Sequence, residues 1–123
     1  MTKTLRLLLA AALLAPAGAA LAHHSYAMFD MQKTISLQGT IVKFKWQNPH
    51  AFIDIDANVK GQTEHWAIEM TSPNNLANDG FKRSSFKPGD KVTLKIHPLR
   101  DGSKGGSFMG AKLSDGTTLG DWK

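Results

Sequence analysis

The chain has 123 residues, of which 15 are lysine or arginine and 10 are aspartate or glutamate, so its formal net charge is +5. It contains no cysteine, which excludes disulfides and thiolate metal sites and leaves histidine, carboxylate, methionine or a terminal amine as metal ligands. The modest basic excess suits an anionic ligand or surface, but it does not indicate a nucleic-acid partner.

The first 22 residues match a secretory signal peptide. Lys3 and Arg6 give a positive start, an uninterrupted apolar run follows, and Ala20 to Ala22 offer small residues for cleavage. The apolar run is shorter than the roughly 20 residues that a membrane anchor needs. We therefore expect a periplasmic or secreted protein with no stable membrane anchor, in which residues 1–22 are removed. Residues 23–123 then form one domain with 13 basic and 10 acidic residues, a formal charge of +3.

Alternating apolar residues predict that most of this domain is β-strand. The first strand changes its apolar face between Gly39 and Val42, which indicates a β-bulge. Turns are predicted at residues 48–50 and at Lys60-Gly61, and a glycine-rich loop is predicted over residues 100–107. The predicted strands are 34–46, 51–57, 64–70, 91–99, 108–113 and 117–119.

One short helix is predicted between the third and fourth strands. Ser72 can cap its first turn, Pro73 suits the first helical position, and Gly80 ends it. Three strands, a helix and further strands, with a bulge in the first strand, predict an all-β fold with one short helix, a small five- to six-stranded Greek-key barrel of the OB type. A β-sandwich is the alternative, although that fold usually has about seven strands.

Six longer motifs stand in one order along the chain: "AHHSYAMFD", "WQNPHAFI", "IEMTSPNNLA", "KRSSFKPGD", "IHPLRDGSKGG" and "LSDGTTLG". Through them the chain resembles, across essentially all of residues 23–123, a bacterial family of exported proteins known as domain of unknown function 6152. The resemblance implies a small secreted or periplasmic β-domain and carries no established activity.

The histidine pair His23-His24 directly follows the predicted cleavage site. A cut after Ala22 would give His23 a free amine beside its imidazole, and these two nitrogens can chelate a metal. A third nitrogen would complete a planar arrangement that suits Cu(II). His50 and His97 stand beside prolines at loop edges, where OB barrels bind ligands, so both are candidates to complete the site. The alternative is that these histidines are solvated or bind only backbone carbonyls.

Three further residues are candidates for a ligand-binding face: Trp46, Phe52 and Arg100. Aromatic side chains on the binding face of an OB barrel can stack on sugars or other planar groups. A basic side chain at a loop edge can bind an acidic group.

Polar residues that alternate along one strand are expected to be solvated. His65 and Glu69 are four residues apart on a strand, about 13 Å between Cα atoms, too far to share one small ion. Asp54 and Asp56 are alternate residues of one strand and do not form a catalytic pair. Since the sequence also has no nucleophile with a partnered base and no cofactor fingerprint, we expect a protein that is not an enzyme.

Three roles stay open on sequence grounds, and the last of them is a structural module of the cell envelope with no small ligand. The first is a periplasmic metal-binding module, with copper as the expected metal, that carries or stores the ion through His23 and His24 with help from His50, His97 or a methionine. The alternative is a non-enzymatic OB-type domain that binds a peptide, a glycan or a partner protein of the cell envelope.

Overall fold

The computed structural model describes residues 26–123, and in this part of the chain six strands form one sheet. A short helix, α1 (Pro73–Asn78), lies between the third and fourth strands. The predicted cleavage site and the pair His23-His24 lie outside the described residues. The strands are β1 (Ile35–Lys45), β2 (Phe52–Val59), β3 (Gln62–Glu69), β4 (Lys91–Pro98), β5 (Gly105–Leu113) and β6 (Thr118–Gly120).

The sheet has the order β3-β2-β1-β4-β5-β6 with antiparallel neighbours, and a parallel pairing of β3 with β5 closes it into a barrel. Five strands make the barrel, and β6 extends the free edge of β5. A helix between the third and fourth strands of such a Greek-key barrel is the arrangement of the OB fold. The predicted fold class is therefore confirmed, since one sheet closes on itself where a sandwich would have two sheets face to face.

The long first strand takes part in both halves of the barrel because it bends. Its first half pairs with β4 and its second half with β2, and the register with β2 shifts between Ile41 and Lys43, which confirms the predicted bulge. Gly39 stands where both pairings overlap. A Cβ there would lie 2.2 Å from the carbonyl oxygen of Asp56, so only glycine allows the strands to approach this closely.

The helix begins and ends as its sequence predicts. The Ser72 hydroxyl accepts a hydrogen bond from the Asn75 amide at 3.3 Å, and Pro73 occupies the first turn. Gly80 has a φ of 91°, and the Phe81 amide donates to the Leu76 carbonyl, as in a Schellman C-cap. Within residues 26–123, no helix combines the length and the apolar character needed to span a membrane.

Strand β5 begins three residues earlier than predicted, inside the glycine-rich stretch that was expected to be a loop. Gly105 and Gly106 pair with Ala67 and Ile68 of β3, and this pairing closes the barrel. A Cβ on Gly106 would lie 2.5 Å from the His97 carbonyl oxygen. These glycines are therefore part of the strand because the backbones approach closely at the closure.

The inward faces of the strands form the core, and four phenylalanines make an aromatic cluster at its helix side. Phe86 is at the centre of this cluster, and its ring centroid lies 5.2 Å from that of Phe44, 6.4 Å from that of Phe81 and 6.3 Å from that of Phe108. Phe86 is 2% exposed. The buried residues include Leu37, Ile41, Ile53, Ile55, Ile68, Met70, Leu76, Val92, Leu94 and Ile96.

Residues 26–33, which we call the N-terminal lead, lie along the end of β4. Phe29 is buried and pairs with Leu99 through an isolated bridge, and the Asp30 amide donates to the Pro98 carbonyl at 2.8 Å. Arg100 fixes the same segment, because its amide donates to the Met28 carbonyl at 2.8 Å and its Nε donates to the carbonyl of residue 27 at 3.1 Å. The lead is therefore anchored to the barrel by one apolar side chain and several hydrogen bonds.

Candidate binding cavity

A cavity of about 430 Å³ lies where β3, β5, α1 and the two ends of the described chain meet. We call it the binding cavity. It lies next to the closure of the barrel, so its walls depend on the parallel pairing of β3 with β5. It is lined by Tyr26, Phe29, His50, Glu69, Met70, Thr71, Leu76, Asp79, Phe81, Ser107, Phe108, Met109, Gly120 and Asp121.

Apolar side chains make most of the inner wall of the binding cavity. Phe81 packs edge-on against Phe108, with ring centroids 5.8 Å apart, and both belong to the aromatic cluster. Phe29 and Met70 are 5% and 4% exposed, and Tyr26 at the rim is 71% exposed. The wall is therefore held rigidly by core packing, while an aromatic ring at the rim is free to contact a ligand.

The polar groups of the binding cavity include three carboxylates and one imidazole. Glu69 ends β3, Asp79 caps the C-terminus of α1, and Asp121 follows β6. The backbone fixes the position of Asp121, because its amide donates to the Met109 carbonyl at 2.9 Å. Among residues 26–123, no lysine or arginine lines the cavity.

Of the two candidate metal ligands that the structure describes, His50 lines the binding cavity. Its Nδ1 lies 3.1 Å from the Met70 carbonyl oxygen and 3.3 Å from Oε1 of Glu69. A carbonyl oxygen only accepts hydrogen bonds, so Nδ1 carries the proton, and in the neutral ring the lone pair belongs to Nε2. His50 is therefore oriented by two acceptors in the way that metal-binding imidazoles are.

His97 lies elsewhere and does not line the binding cavity. Its Nδ1 donates to the Lys33 carbonyl at 2.8 Å, so this ring holds the end of the N-terminal lead and also keeps its lone pair on Nε2. Ser107 lies between His97 and the binding cavity, since it pairs with His97 on β4 and with Glu69 on β3. Within residues 26–123, no three residues of the types His, Cys, Asp or Glu come together as a metal site.

The three residues predicted for a ligand-binding face are not brought together in the binding cavity. Trp46 packs edge-on against Phe44 at 5.7 Å between centroids and against the core. Phe52 begins β2 and is partly buried, and Arg100 binds the carbonyls of the N-terminal lead. No finding tests these three as ligand-binding residues, and they stay a prediction.

Sequence reasoning missed the acidic residues of the cavity. Glu69 was compared with His65 on its own strand, whereas its imidazole partner is His50, which follows the turn between β1 and β2. His65 is instead bonded to Asp56 across β2 and β3, at 2.8 Å between Nδ1 and Oδ1, on an exposed face. No local sequence pattern indicates that Asp79 and Asp121 belong to one site, because only the barrel closure brings α1 and β6 to the same cavity.

A second depression, of about 890 Å³, lies on the outer face of the sheet. We call it the polar groove. Lys91 and Lys112 line it together with one carboxylate, Asp56. Its other lining residues are Gln38, Gly39, Thr40, Asn58, Thr63, Val92, Thr93, Leu113 and Ser114.

The fold and the cavity define a small OB-type barrel with a cavity beside its closure. The chain belongs to a family of unknown function, DUF6152, whose model matches residues 11–108. No curated protein matches the chain.

Two crystal structures of Rim1, a mitochondrial single-stranded DNA binding protein from S. cerevisiae, are similar in fold. They share 18% and 14% identity with this chain, with TM-scores of 0.49 and 0.48. The matches cover 67% and 74% of this chain and 94% and 98% of theirs. At these values the likeness carries no inference about what this chain binds.

Proposed function

We propose that the chain is a binding domain that holds a small organic ligand in the binding cavity. The observation that carries the proposal is a cavity of about 430 Å³, within the range of about 300–1,000 Å³ in which proteins hold small molecules. Its walls combine aromatic and aliphatic side chains with a few polar groups, which is the composition of such sites.

The cavity is built to stay open. Its inner wall is fixed by the aromatic cluster, and Phe29, Met70 and Leu76 are each 5% exposed or less. Rings that are locked by core packing cannot collapse into the cavity without breaking that packing. A preformed apolar cavity gains affinity because little conformational entropy is lost when a ligand enters.

A neutral fluorophore tests this proposal without knowledge of the natural ligand. Prodan (6-propionyl-2-dimethylaminonaphthalene) shifts and brightens its emission in an apolar site. We expect saturable binding by the native chain and by Thr63→Trp, which changes the polar groove. Thr71→Trp, which places an indole at the exposed rim of the binding cavity, should reduce prodan affinity at least tenfold. Equal binding by both tryptophan variants, or no saturable binding by the native chain, contradicts the proposal.

A second function, a copper-binding carrier or storage module, is supported by His50. Its Nδ1 hydrogen bond leaves Nε2 as the lone-pair donor, and it shares the cavity wall with Tyr26. His24 stands two residues before Tyr26 in the sequence, a separation of at most about 7 Å between Cα atoms. His23, His24 and His50 would then supply the nitrogens of the site, with His97 as a further candidate.

Isothermal titration with Cu(II) tests the copper proposal on a chain that begins at His23. His50→Ala should weaken binding at least tenfold, because it removes an imidazole nitrogen that the Met70 carbonyl and Glu69 hold in a fixed orientation. His65→Ala is the matched control, since its Nδ1 is also bonded to an acceptor but its ring lies outside the binding cavity. An extra residue placed before His23 should weaken binding further by removing the terminal chelate. Unchanged affinity in both cases removes the copper site.

Both functions are proposed for a periplasmic or secreted protein that is not an enzyme. The support is in the sequence: the start of the chain has the pattern of a secretory signal, and no nucleophile stands with a partnered base. The intact mass of the exported protein tests whether residues 1–22 are removed. A chain that starts at His23 supports the terminal chelate, and any other start removes it.

A further inference from the structure

The binding cavity and the chain as a whole differ in the sign of their charges. Over residues 26–123 the chain has 13 lysines and arginines against 10 acidic residues. The cavity has three of those carboxylates, Glu69, Asp79 and Asp121, and none of the 13 basic side chains. A concave, partly apolar wall concentrates the field of the charges that line it. The cavity is therefore locally negative on a protein that is positive overall.

No lysine or arginine among residues 26–123 forms an ion pair with these three carboxylates. Among residues 26–123 the ion pairs within 4.0 Å include neither Asp79 nor Asp121. Within the described part of the chain, the ion-pair partner of Glu69 is His50, whose Nδ1 lies 3.3 Å away, and that ring shares its proton with the Met70 carbonyl. Asp79 also caps the C-terminus of α1, the end of a helix where a cation is favoured and a carboxylate is not.

The remaining wall suits the body of an organic cation. Phe29, Phe81 and Phe108 line the cavity, and Tyr26 stands at its rim. Aromatic faces attract ammonium groups, and they contribute more where the cation is partly desolvated. A single metal ion would leave most of the roughly 430 Å³ unfilled.

We propose that the ligand of the binding cavity is a small organic cation, an amine or quaternary ammonium group on an aliphatic or aromatic body. This inference rests on the proposed function, because it assigns the class of ligand to the same cavity. Glu69 and Asp121 neutralise the cationic group, and the phenylalanines contact the body. The three carboxylates repel an anionic ligand, which should therefore bind more weakly than a neutral one.

Three ligands of similar shape and different charge test the inference. Benzyltrimethylammonium is the cation, neopentylbenzene is its neutral carbon isostere, and phenylacetate is an anion with the same ring. Each competes with prodan for the full chain in the presence of EDTA, which removes metal ions. We expect benzyltrimethylammonium to displace prodan at a concentration at least tenfold lower than neopentylbenzene, and phenylacetate to displace it least.

Substitutions that remove the charge of a carboxylate without changing its shape test whether the cavity carboxylates cause the preference for a cation. In the double variant Glu69→Gln, Asp121→Asn the preference for the cation over its neutral isostere should fall to about twofold or less. Asp101→Asn and Asp115→Asn are matched controls, because these exposed carboxylates lie outside the cavity, and they should keep the full preference.

The outcomes separate the two proposals. If prodan binds the cavity but neopentylbenzene or phenylacetate competes as well as the cation, the cationic ligand is overturned and the binding domain stands. A preference that survives in the double variant also overturns it, since the charge must then act from elsewhere. If prodan does not bind the native chain, the binding domain itself is wrong.

Discussion

The two depressions of the barrel differ in what lines them more than in size. The polar groove, at about 890 Å³, is twice as large as the binding cavity, at about 430 Å³. The groove is lined mainly by polar side chains, of which Asn58, Thr63, Lys91 and Lys112 are exposed to water. The cavity combines locked aromatic rings with three carboxylates, none of which forms an ion pair with a lysine or arginine among residues 26–123. Binding therefore depends on apolar surface that a ligand can remove from water, and volume alone is a poor guide.

The largest expected effect is on stability, and it comes from the aromatic cluster, which packs behind the wall of the cavity and not behind the groove. Phe86→Ala removes the centre of the aromatic cluster, a side chain that is 2% exposed, and should lower the free energy of unfolding by about 3–5 kcal/mol. Urea denaturation measures the loss. Val42→Ala, at an exposed bulge position, should change stability by about 0.5 kcal/mol or less. A loss below about 1 kcal/mol for Phe86→Ala would contradict the role of the cluster.

A smaller effect distinguishes the charges of the two depressions. Thr71→Lys adds a cation to the rim of the binding cavity, and Thr63→Lys adds one to the polar groove. Two unit charges about 4 Å apart interact by about 1 kcal/mol even in bulk water, so Thr71→Lys should weaken benzyltrimethylammonium binding about five- to tenfold. Thr63→Lys should change it less than twofold. Competition with prodan measures both, and equal effects would show that the cavity is not the charged site.

The smallest effect concerns α1, which forms part of the cavity wall and has no counterpart at the groove. Ser72→Ala removes the N-cap hydroxyl that accepts from Asn75 and should cost about 0.5–1 kcal/mol. Ser36→Ala, on an exposed strand position, is the control and should be close to neutral. Thermal unfolding detects the difference, and no loss on changing Ser72 would mean that the cap does not stabilise the helix.

The sequence predicts those parts of the fold that depend on local chemistry. The bulge near Val42 follows from the change of apolar face, and α1 follows from Ser72, Pro73 and Gly80, because capping groups act on their own turn. The start of β5 could not be predicted in this way. Gly105 and Gly106 are typical of loops, and only the close approach of β3 and β4 shows why glycine is needed in the strand.

The candidate site was less predictable than the fold. His50 was identified as a candidate from its place beside Pro49 in a turn, and the structure puts it in the cavity. Glu69, Asp79 and Asp121 come from three elements that are far apart along the chain. Their proximity depends on the parallel pairing of β3 with β5, which connects segments about 40 residues apart, and no periodicity within a strand or helix reports such a contact.

Tyr26 and Asp121 both line the binding cavity, so additions to the protein just before the one or just after the other would emerge beside its entrance. An affinity tag or fluorescent protein joined at either place would compete with a ligand for space and add its own charges. The Lys60-Gly61 turn is a better attachment point. It lies at the other end of β3 from Glu69, about 23 Å along the strand, and both residues already have the positive φ of a tight hairpin turn.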